Sequence, residues 1–223
     1  MNENIKLYQG DCLEVLKTIP DKSINLILQD PPYNTTSCDF EWDIFTKIKD
    51  FWEQWERVIT DNGAIIMFGS QPFSTKLIIS NFELFKYEYI WIKSRQTGFA
   101  HAKNNPLKAH ENILVFSKGQ INHIGQSKNR MVYYPQGLVK CEIKRNGTRK
   151  GGRNNSRKIA RPSNKEQYVA EYTNYPNSIL NFKSEPKPEH PTQKPLDLIE
   201  YLIKTYTLEN ETVFDGFSGS GTT

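Results

Sequence analysis

No apolar run in this 223-residue chain approaches the roughly 20 residues that a membrane-spanning helix needs, so no helical span is expected. The opening Met1-Asn2-Glu3-Asn4 is polar and shows no signal-peptide pattern. Cysteine is scarce. Cys12, Cys38 and Cys141 are odd in number and far apart, which argues against a disulfide framework and fits reduced thiols in a cytoplasm. The four histidines, His101, His110, His123 and His190, lack ligand spacing, so no metal site is expected. Acidic side chains are nearly missing from one stretch: residues 118–165 carry thirteen Lys/Arg and a single acid, Glu142. The remainder holds 16 basic and 24 acidic residues, a net of −8, although the whole chain is +4. One basic segment on an acidic body is the pattern of an element that meets a polyanion, or of a solvated loop.

What is present fits a folded protein. The hydrophobic content of 37% and aromatic content of 12% place the chain outside the disordered class. Its length allows one substantial α/β core plus an insertion. Ile5-Lys6-Leu7-Tyr8 alternates and reads as a short strand. Leu13, Leu16 and Ile19 then mark a short helix stopped by Pro20. Ile24-Asn25-Leu26-Ile27-Leu28 reads as a buried strand cut off by Asp30 and two prolines. Trp52, Trp55, Val58 and Ile59 give one face of a helix ending near Asn62-Gly63. Strands are expected at 64–68, 87–92, 112–116 and 212–214, with helical patterns at 73–81 and after Pro195, where Leu198, Ile199, Leu202, Ile203 and Tyr206 share a face. Strands alternating with helices predict an α/β fold, with a mostly parallel sheet and helices on both faces. Residues 119–188 break the pattern, being rich in Asn, Gly, Arg, Lys and Ser.

Two stretches carry chemistry. The first is Asp30-Pro31-Pro32-Tyr33, directly after a buried strand. An amine on a flat nucleobase is a poor nucleophile because its lone pair is delocalised into the ring. An enzyme that alkylates it must offer acceptors to the N–H groups and favour a pyramidal nitrogen. Asp30 supplies a carboxylate acceptor and Pro31 a carbonyl. The prolines stiffen the turn and give up their own amide donors. Tyr33 is placed to stack on a base taken out of its duplex. The competing reading is an ordinary turn at a strand end.

The second stretch is Phe214-Asp215-Gly216-Phe217-Ser218-Gly219-Ser220-Gly221-Thr222-Thr223. Its glycines let backbone approach a ligand. Asp215 suits a charged amine, and Thr222 and Thr223 suit a carboxylate at a helix start. Together they fit the amino-acid end of S-adenosyl-L-methionine. The spacing also matches a phosphate loop, but that loop needs a lysine where Thr222 stands.

In this order the two stretches resemble the beta class of amino DNA methyltransferases, which use S-adenosylmethionine to modify adenine N6 or cytosine N4. Gly10-Asp11-Cys12 looks like the family segment whose acid contacts the cofactor adenine, and His190-Pro191-Thr192-Gln193-Lys194-Pro195 like the segment that lines the cofactor pocket. The resemblance covers nearly the whole chain and implies a Rossmann-like methyltransferase fold with permuted motif order. It divides the chain into 1–118 (catalytic part), 119–188 (basic target-recognition insertion) and 189–223 (start of the cofactor-binding part).

The implied base-acting residues are Asp30, Pro31, Pro32 and Tyr33. The implied cofactor residues are Asp11, Cys12, His190, Thr192, Lys194, Asp215, Gly216, Phe217, Gly219, Ser220, Gly221 and Thr222. Lys144, Arg145, Arg149, Lys150, Arg153, Arg157, Lys158 and Arg161 are the implied contacts to double-stranded DNA, base readers and phosphate holders not being distinguished. Asp at position 30 leans toward adenine in this family, Ser toward cytosine.

Family members continue beyond Gly-Ser-Gly-Thr-Thr with a helix and an acid-bearing strand. The chain therefore reads as a partial sequence, or as half of a split enzyme with a partner chain. It is expected to bind S-adenosylmethionine weakly, and near-normal affinity in a calorimetric titration would refute that. The leading expectation is a cytoplasmic adenine-N6 methyltransferase of a restriction-modification system or a phage. Cytosine-N4 or RNA methylation, and a catalytically dead DNA-binding fragment, are the alternatives.

Overall fold

In the computed structural model, described for residues 5–33, 45, 47–121, 129–146, 167–185, 193–219 and 221–223, the apolar runs become a six-stranded sheet. The strands are β1 (Ile24–Gln29), β2 (Ile59–Gly69), β3 (Phe85–Thr97), β4 (Lys108–Phe116), β7 (Ile179–Asn181) and β8 (Val213–Phe214). Their order across the sheet is β7-β3-β4-β2-β1-β8. β1 runs parallel to β2 and β8, and β3 parallel to β7, while β4 is antiparallel to both its neighbours. The α/β fold and mostly parallel sheet expected from the sequence are present. β5 (Val139–Asn146) and β6 (Gln167–Thr173) form a separate antiparallel ladder.

Side-chain alternation sends each central strand to two cores. Ile27, Ile65, Met67, Leu114 and Phe116 face α1 (Cys12–Thr18), α2 (Ile48–Val58) and α3 (Phe73–Ser80). Leu26, Leu28, Ile66, Phe68, Ile113 and Val115 face α4 (Leu196–Tyr206). Burial on both faces is why Leu26–Leu28 of β1 and Ala64–Phe68 of β2 read as apolar runs. Each fully buried Leu, Ile or Phe contributes about 1.5–3 kcal/mol.

Local chemistry sets the helix ends. The Asp11 carboxylate caps α1 by accepting from Leu13 N at 2.8 Å. Arg57 of α2 donates to the Leu16 and Ile19 carbonyls at 2.7 and 2.8 Å, closing the other end of α1. α4 is anchored by Tyr206, whose hydroxyl meets those of Tyr87 (2.9 Å) and Tyr89 (3.0 Å).

Three expectations differ from the structure. Residues 5–8 form no strand: Ile5, Leu7 and Tyr8 are exposed, because no neighbour within the described residues hydrogen-bonds that backbone into the sheet. α2 ends at Val58 rather than near Asn62-Gly63, since Ile59 already pairs with Ile24 of β1. Gly63 lies inside β2, where a Cβ would stand 2.6 Å from the Asn25 carbonyl, so glycine is what lets the strands approach there. The segment read as an aperiodic insertion also feeds the main body: β7 extends the sheet, Met131 is buried in the α4-side core, and Val132 N donates to Asn62 O at 2.9 Å.

Candidate active site

β1 and β8 lie side by side and parallel, pairing Leu26 with Val213 and Ile27 with Phe214. Both end at the same edge, so Asp30 and Asp215 emerge next to each other, at the carboxyl ends of strands where α/β sheets bind ligands. The Asp215 carboxyl is pushed above its ordinary range, first by burial and to a lesser degree by the charge of Asp30, against the pull of Thr223 and the Phe217 amide.

Around Asp30 every charge is matched. Its Oδ1 accepts from the Tyr33 hydroxyl at 2.8 Å, and its Oδ2 from Lys194 Nζ at 2.5 Å. Lys194 is almost buried. It also lies 3.5 Å from Glu111 Oε2 and over the rings of Phe68 and Tyr33, at 5.0 and 5.7 Å. Glu111 in turn accepts from Tyr33 at 3.3 Å and from Lys93 at 2.5 Å. Burial alone would raise the Glu111 carboxyl, but the charges of Lys194 and Lys93 outweigh it and hold the group below its ordinary range. Burial and the two neighbouring carboxylates push the Tyr33 phenol well above its usual value, so it is a neutral donor. The Tyr33 ring, expected to stack on a base, packs here against Phe73 at 5.2 Å. A carboxylate has about four lone-pair sites, so the part-exposed Asp30 keeps acceptor capacity after these two bonds.

The glycine loop is organised from β1. Gln29, fully buried, donates to Phe214 O and accepts from Gly216 N, both at 3.2 Å. A Cβ on Gly216 would overlap the Cys12 sulfur, so only glycine lets the loop pass α1 there. Asp215 accepts from Phe217 N at 2.9 Å and from Thr223 Oγ1 at 2.6 Å. Gly219 and Gly221 have φ of +53° and +75°, with little or nothing in front of their Cα atoms. Burial, then Asp11 and Asp215, push the Cys12 thiol up to about 12.

The structure thus brings together Asp11, Cys12, Asp215, Gly216 and Phe217, and beside them Asp30, Pro31, Pro32 and Tyr33. Lys194, grouped from the sequence with the cofactor set, has its ammonium on Asp30. Thr222 is half-buried at the end of the loop. His190, Thr192 and Ser220 lie outside the described residues. Lys144 is exposed on β5; Arg145 belongs to that strand, and Arg149, Lys150, Arg153, Arg157, Lys158 and Arg161 lie outside the described residues. Glu111, Lys93 and Gln29 are site residues that the sequence reading missed. A faint signal existed: Glu111 is an acid just before the apolar run 113–116, and Gln29 an amide in a buried run.

Comparison with known proteins bears on the family and the fold. The profile of the N6_N4_Mtase family, described as DNA methylase, matches residues 24–223. The chain belongs to this family. It is 28% identical to the type II methyltransferase M1.MboII of Moraxella bovis, over all of this chain and 87% of that protein. It is 27% identical to the type II methyltransferase M.HinfI of Haemophilus influenzae, of which it spans 63%. It is 24% identical to the DNA adenine methyltransferase YhdJ of Escherichia coli K12, of which it spans 74%.

Among solved structures, the cytosine-N4-specific PvuII DNA methyltransferase superposes with a TM-score of 0.65 at 15% identity, over 96% of this chain and 74% of that one. The complex of M1.HpyAVI with S-adenosylmethionine gives 0.53 at 23% identity, over 96% and 84%. These confirm the Rossmann-like methyltransferase fold. S-adenosylmethionine is the cofactor of this methylase family. The chain's residues fit it: Asp11 and Asp215 bring carboxylates to the loop, which suits a cationic ligand, and the loop backbone at Gly219 and Gly221 is open. Among the described residues no group of three His, Cys, Asp or Glu is placed to hold a metal, and no helix is long and apolar enough to cross a membrane.

Proposed function

We propose that this methylase transfers a methyl group to the exocyclic amine of a base in double-stranded DNA, with adenine N6 as the target. The observation that carries this reading is the placement of Asp30 and Asp215 at the ends of adjacent parallel strands, one acid for the target amine and one for the cofactor. Asp11, Asp215 and the glycine loop would hold S-adenosylmethionine, which supplies an electrophilic methyl on sulfur. Asp30 accepts an N–H of the target amine and takes up the proton it releases; the Pro31 carbonyl accepts the second N–H. Lys194 fixes Asp30 in position, so the acceptor is already in place when the base arrives. Tyr33 holds the other oxygen of Asp30. The basic residues of 119–188, with Lys144 on β5, contact the DNA.

The aspartate at position 30 and the relative named as an adenine methyltransferase support adenine. Cytosine N4 is the second reading, favoured by the superposition on a cytosine-N4-specific enzyme. Incubation with labelled S-adenosylmethionine and mixed-sequence duplex DNA, followed by nucleoside mass spectrometry, separates them. N6-methyldeoxyadenosine that disappears with Asp30→Ala is the expected result. N4-methyldeoxycytidine would move the assignment to cytosine, label in RNA alone would overturn the DNA substrate, and salt-sensitive DNA binding with no label would leave a binding protein.

A further inference from the structure

Strands β3 and β4 continue past the charged cluster as a hairpin that leaves the sheet. Lys93 and Glu111 are the last members of the Asp30 cluster on these two strands. Beyond them, residues 94–106 are all exposed. Between the rungs Ile92–His110 and Thr97–Lys108, β3 advances five residues while β4 advances two, so β3 bulges outward. The tip is a 3-10 turn, Phe99–His101, entered through Gly98 at φ +90°. It is ordered by its own backbone: His101 N donates to Gly98 O, Ala102 N to Phe99 O, and Asn104 N to His101 O, at 2.8–3.1 Å.

Two properties of this tip have no use in the fold. Phe99 is 82% exposed, the aromatic ring pointing away from both cores. From 94 to 110 the chain carries Arg95, Lys103 and Lys108 with His101 and His110 and no acid, although the body outside the basic segment is net negative. An exposed ring on an ordered, cationic, acid-free turn matches the chemistry of a nucleic-acid duplex, with phosphates for the cations and a base stack for the ring. An anionic membrane would match the same pattern; the continuity of the tip with the Asp30 cluster favours a duplex.

We propose that the β3–β4 tip is a second DNA-contacting element, in which Arg95, Lys103 and Lys108 hold phosphates and Phe99 enters the base stack where the target base has left it. The proposal rests on the reading that the chain acts on DNA. The tip is rooted in the cluster that holds Asp30, so it stands beside the place where an extruded base must arrive. Extrusion leaves a gap that a flat ring can fill, offsetting part of the lost stacking.

The test uses the full chain in two measurements. Fluorescence anisotropy on a mixed-sequence duplex follows Arg95→Gln/Lys103→Gln/Lys108→Gln; binding is expected to weaken at least tenfold, with the log–log salt slope shallower by about 0.9 for each phosphate no longer neutralised. Methyl transfer to duplex and to heat-denatured DNA follows Phe99→Ala, and the duplex-to-single-strand ratio is expected to fall about tenfold, since a single strand has no gap to fill. Melting curves should match the wild type, because all four side chains are exposed. Wild-type DNA affinity and salt slope in the triple variant, or an unchanged ratio in Phe99→Ala, overturns the inference while the methyltransferase reading stands. A wild-type chain that transfers no methyl to any DNA, yet loses duplex binding in the triple variant, overturns the reading and leaves the tip as a DNA-binding element. Loss of RNA binding alone overturns the choice of DNA.

Discussion

The two acids that end neighbouring strands live in opposite electrostatic surroundings. Asp30 is met by Lys194 and, through it, by Glu111 and Lys93, so the proposed catalytic end is neutral and held in place by hydrogen bonds. Asp215 has a hydroxyl and an amide for partners, and its carboxyl is raised by burial. Asp11 has the exposed Lys47 at 3.6 Å. One region carries its own counter-charges, while the other leaves carboxylates for an incoming cation. The difference suits the division of labour: a base amine is neutral and needs a fixed acceptor, whereas a sulfonium cofactor brings positive charge.

Removing the fixed acceptor should have the largest effect. Asp30→Ala is expected to lower methyl transfer by about 10²–10⁴-fold, with cofactor affinity in a calorimetric titration changing far less. Next comes the cluster that supports it. Glu111→Gln leaves two buried ammonium groups facing one carboxylate, and is expected to destabilise the fold by about 3 kcal/mol, read from urea unfolding. Gly216→Ala probes the other region: the added methyl meets the Cys12 sulfur, and overpacking of this kind costs about 1–3 kcal/mol. Its signature is a larger loss in cofactor affinity than in the rate at saturating cofactor.

The pH dependence of stability should separate the regions by sign. Glu111 has a depressed carboxyl, so its contribution is full above the ordinary carboxylate range and is lost as pH falls through its folded value. Asp215 has a raised carboxyl, so its contribution is full at low pH and is lost as pH rises from the ordinary carboxylate range through the raised one. Asp215→Asn should therefore be more stable than wild type at neutral pH, with the gain vanishing in acid. Melting curves of the two variants at pH 3–8 would show whether the slopes diverge. The smallest effect is chemical: with its thiol pushed up to about 12, Cys12 should resist iodoacetamide at pH 8 until the chain unfolds, as peptide mapping would reveal.

The doubly buried strands were legible because burial on both faces leaves contiguous apolar runs, as at 26–28 and 64–68, and α4 because one face of Leu198, Ile199, Leu202 and Tyr206 is buried. Asp30 was legible because two prolines mark the strand end. What could not be read depends on neighbours in space. Alternation at residues 5–8 looks like a strand, yet a strand needs a partner backbone. The outer half of β3, Lys93-Ser94-Arg95-Gln96-Thr97, is paired with β4 only at Thr97 and shows no apolar pattern. The β5–β6 ladder leaves Val139, Ile143, Val169 and Tyr172 exposed, so no periodic face exists to find. The Asp30–Lys194–Glu111–Lys93 cluster draws on four distant places in the chain, and no local spacing announces it.

The bond from Lys194 to Asp30 spans 164 residues, and this bears on how the protein is made. At about 5–20 residues per second, Asp30 is synthesised roughly 10–30 s before its counter-charge. During that interval β1 can already pair with β2, but the carboxylate at its end has no ammonium beside it, and the strand face that α4 will cover is bare. The acceptor is therefore assembled only after a further 164 residues have been added, on a nascent chain that must stay soluble with one face of its sheet uncovered.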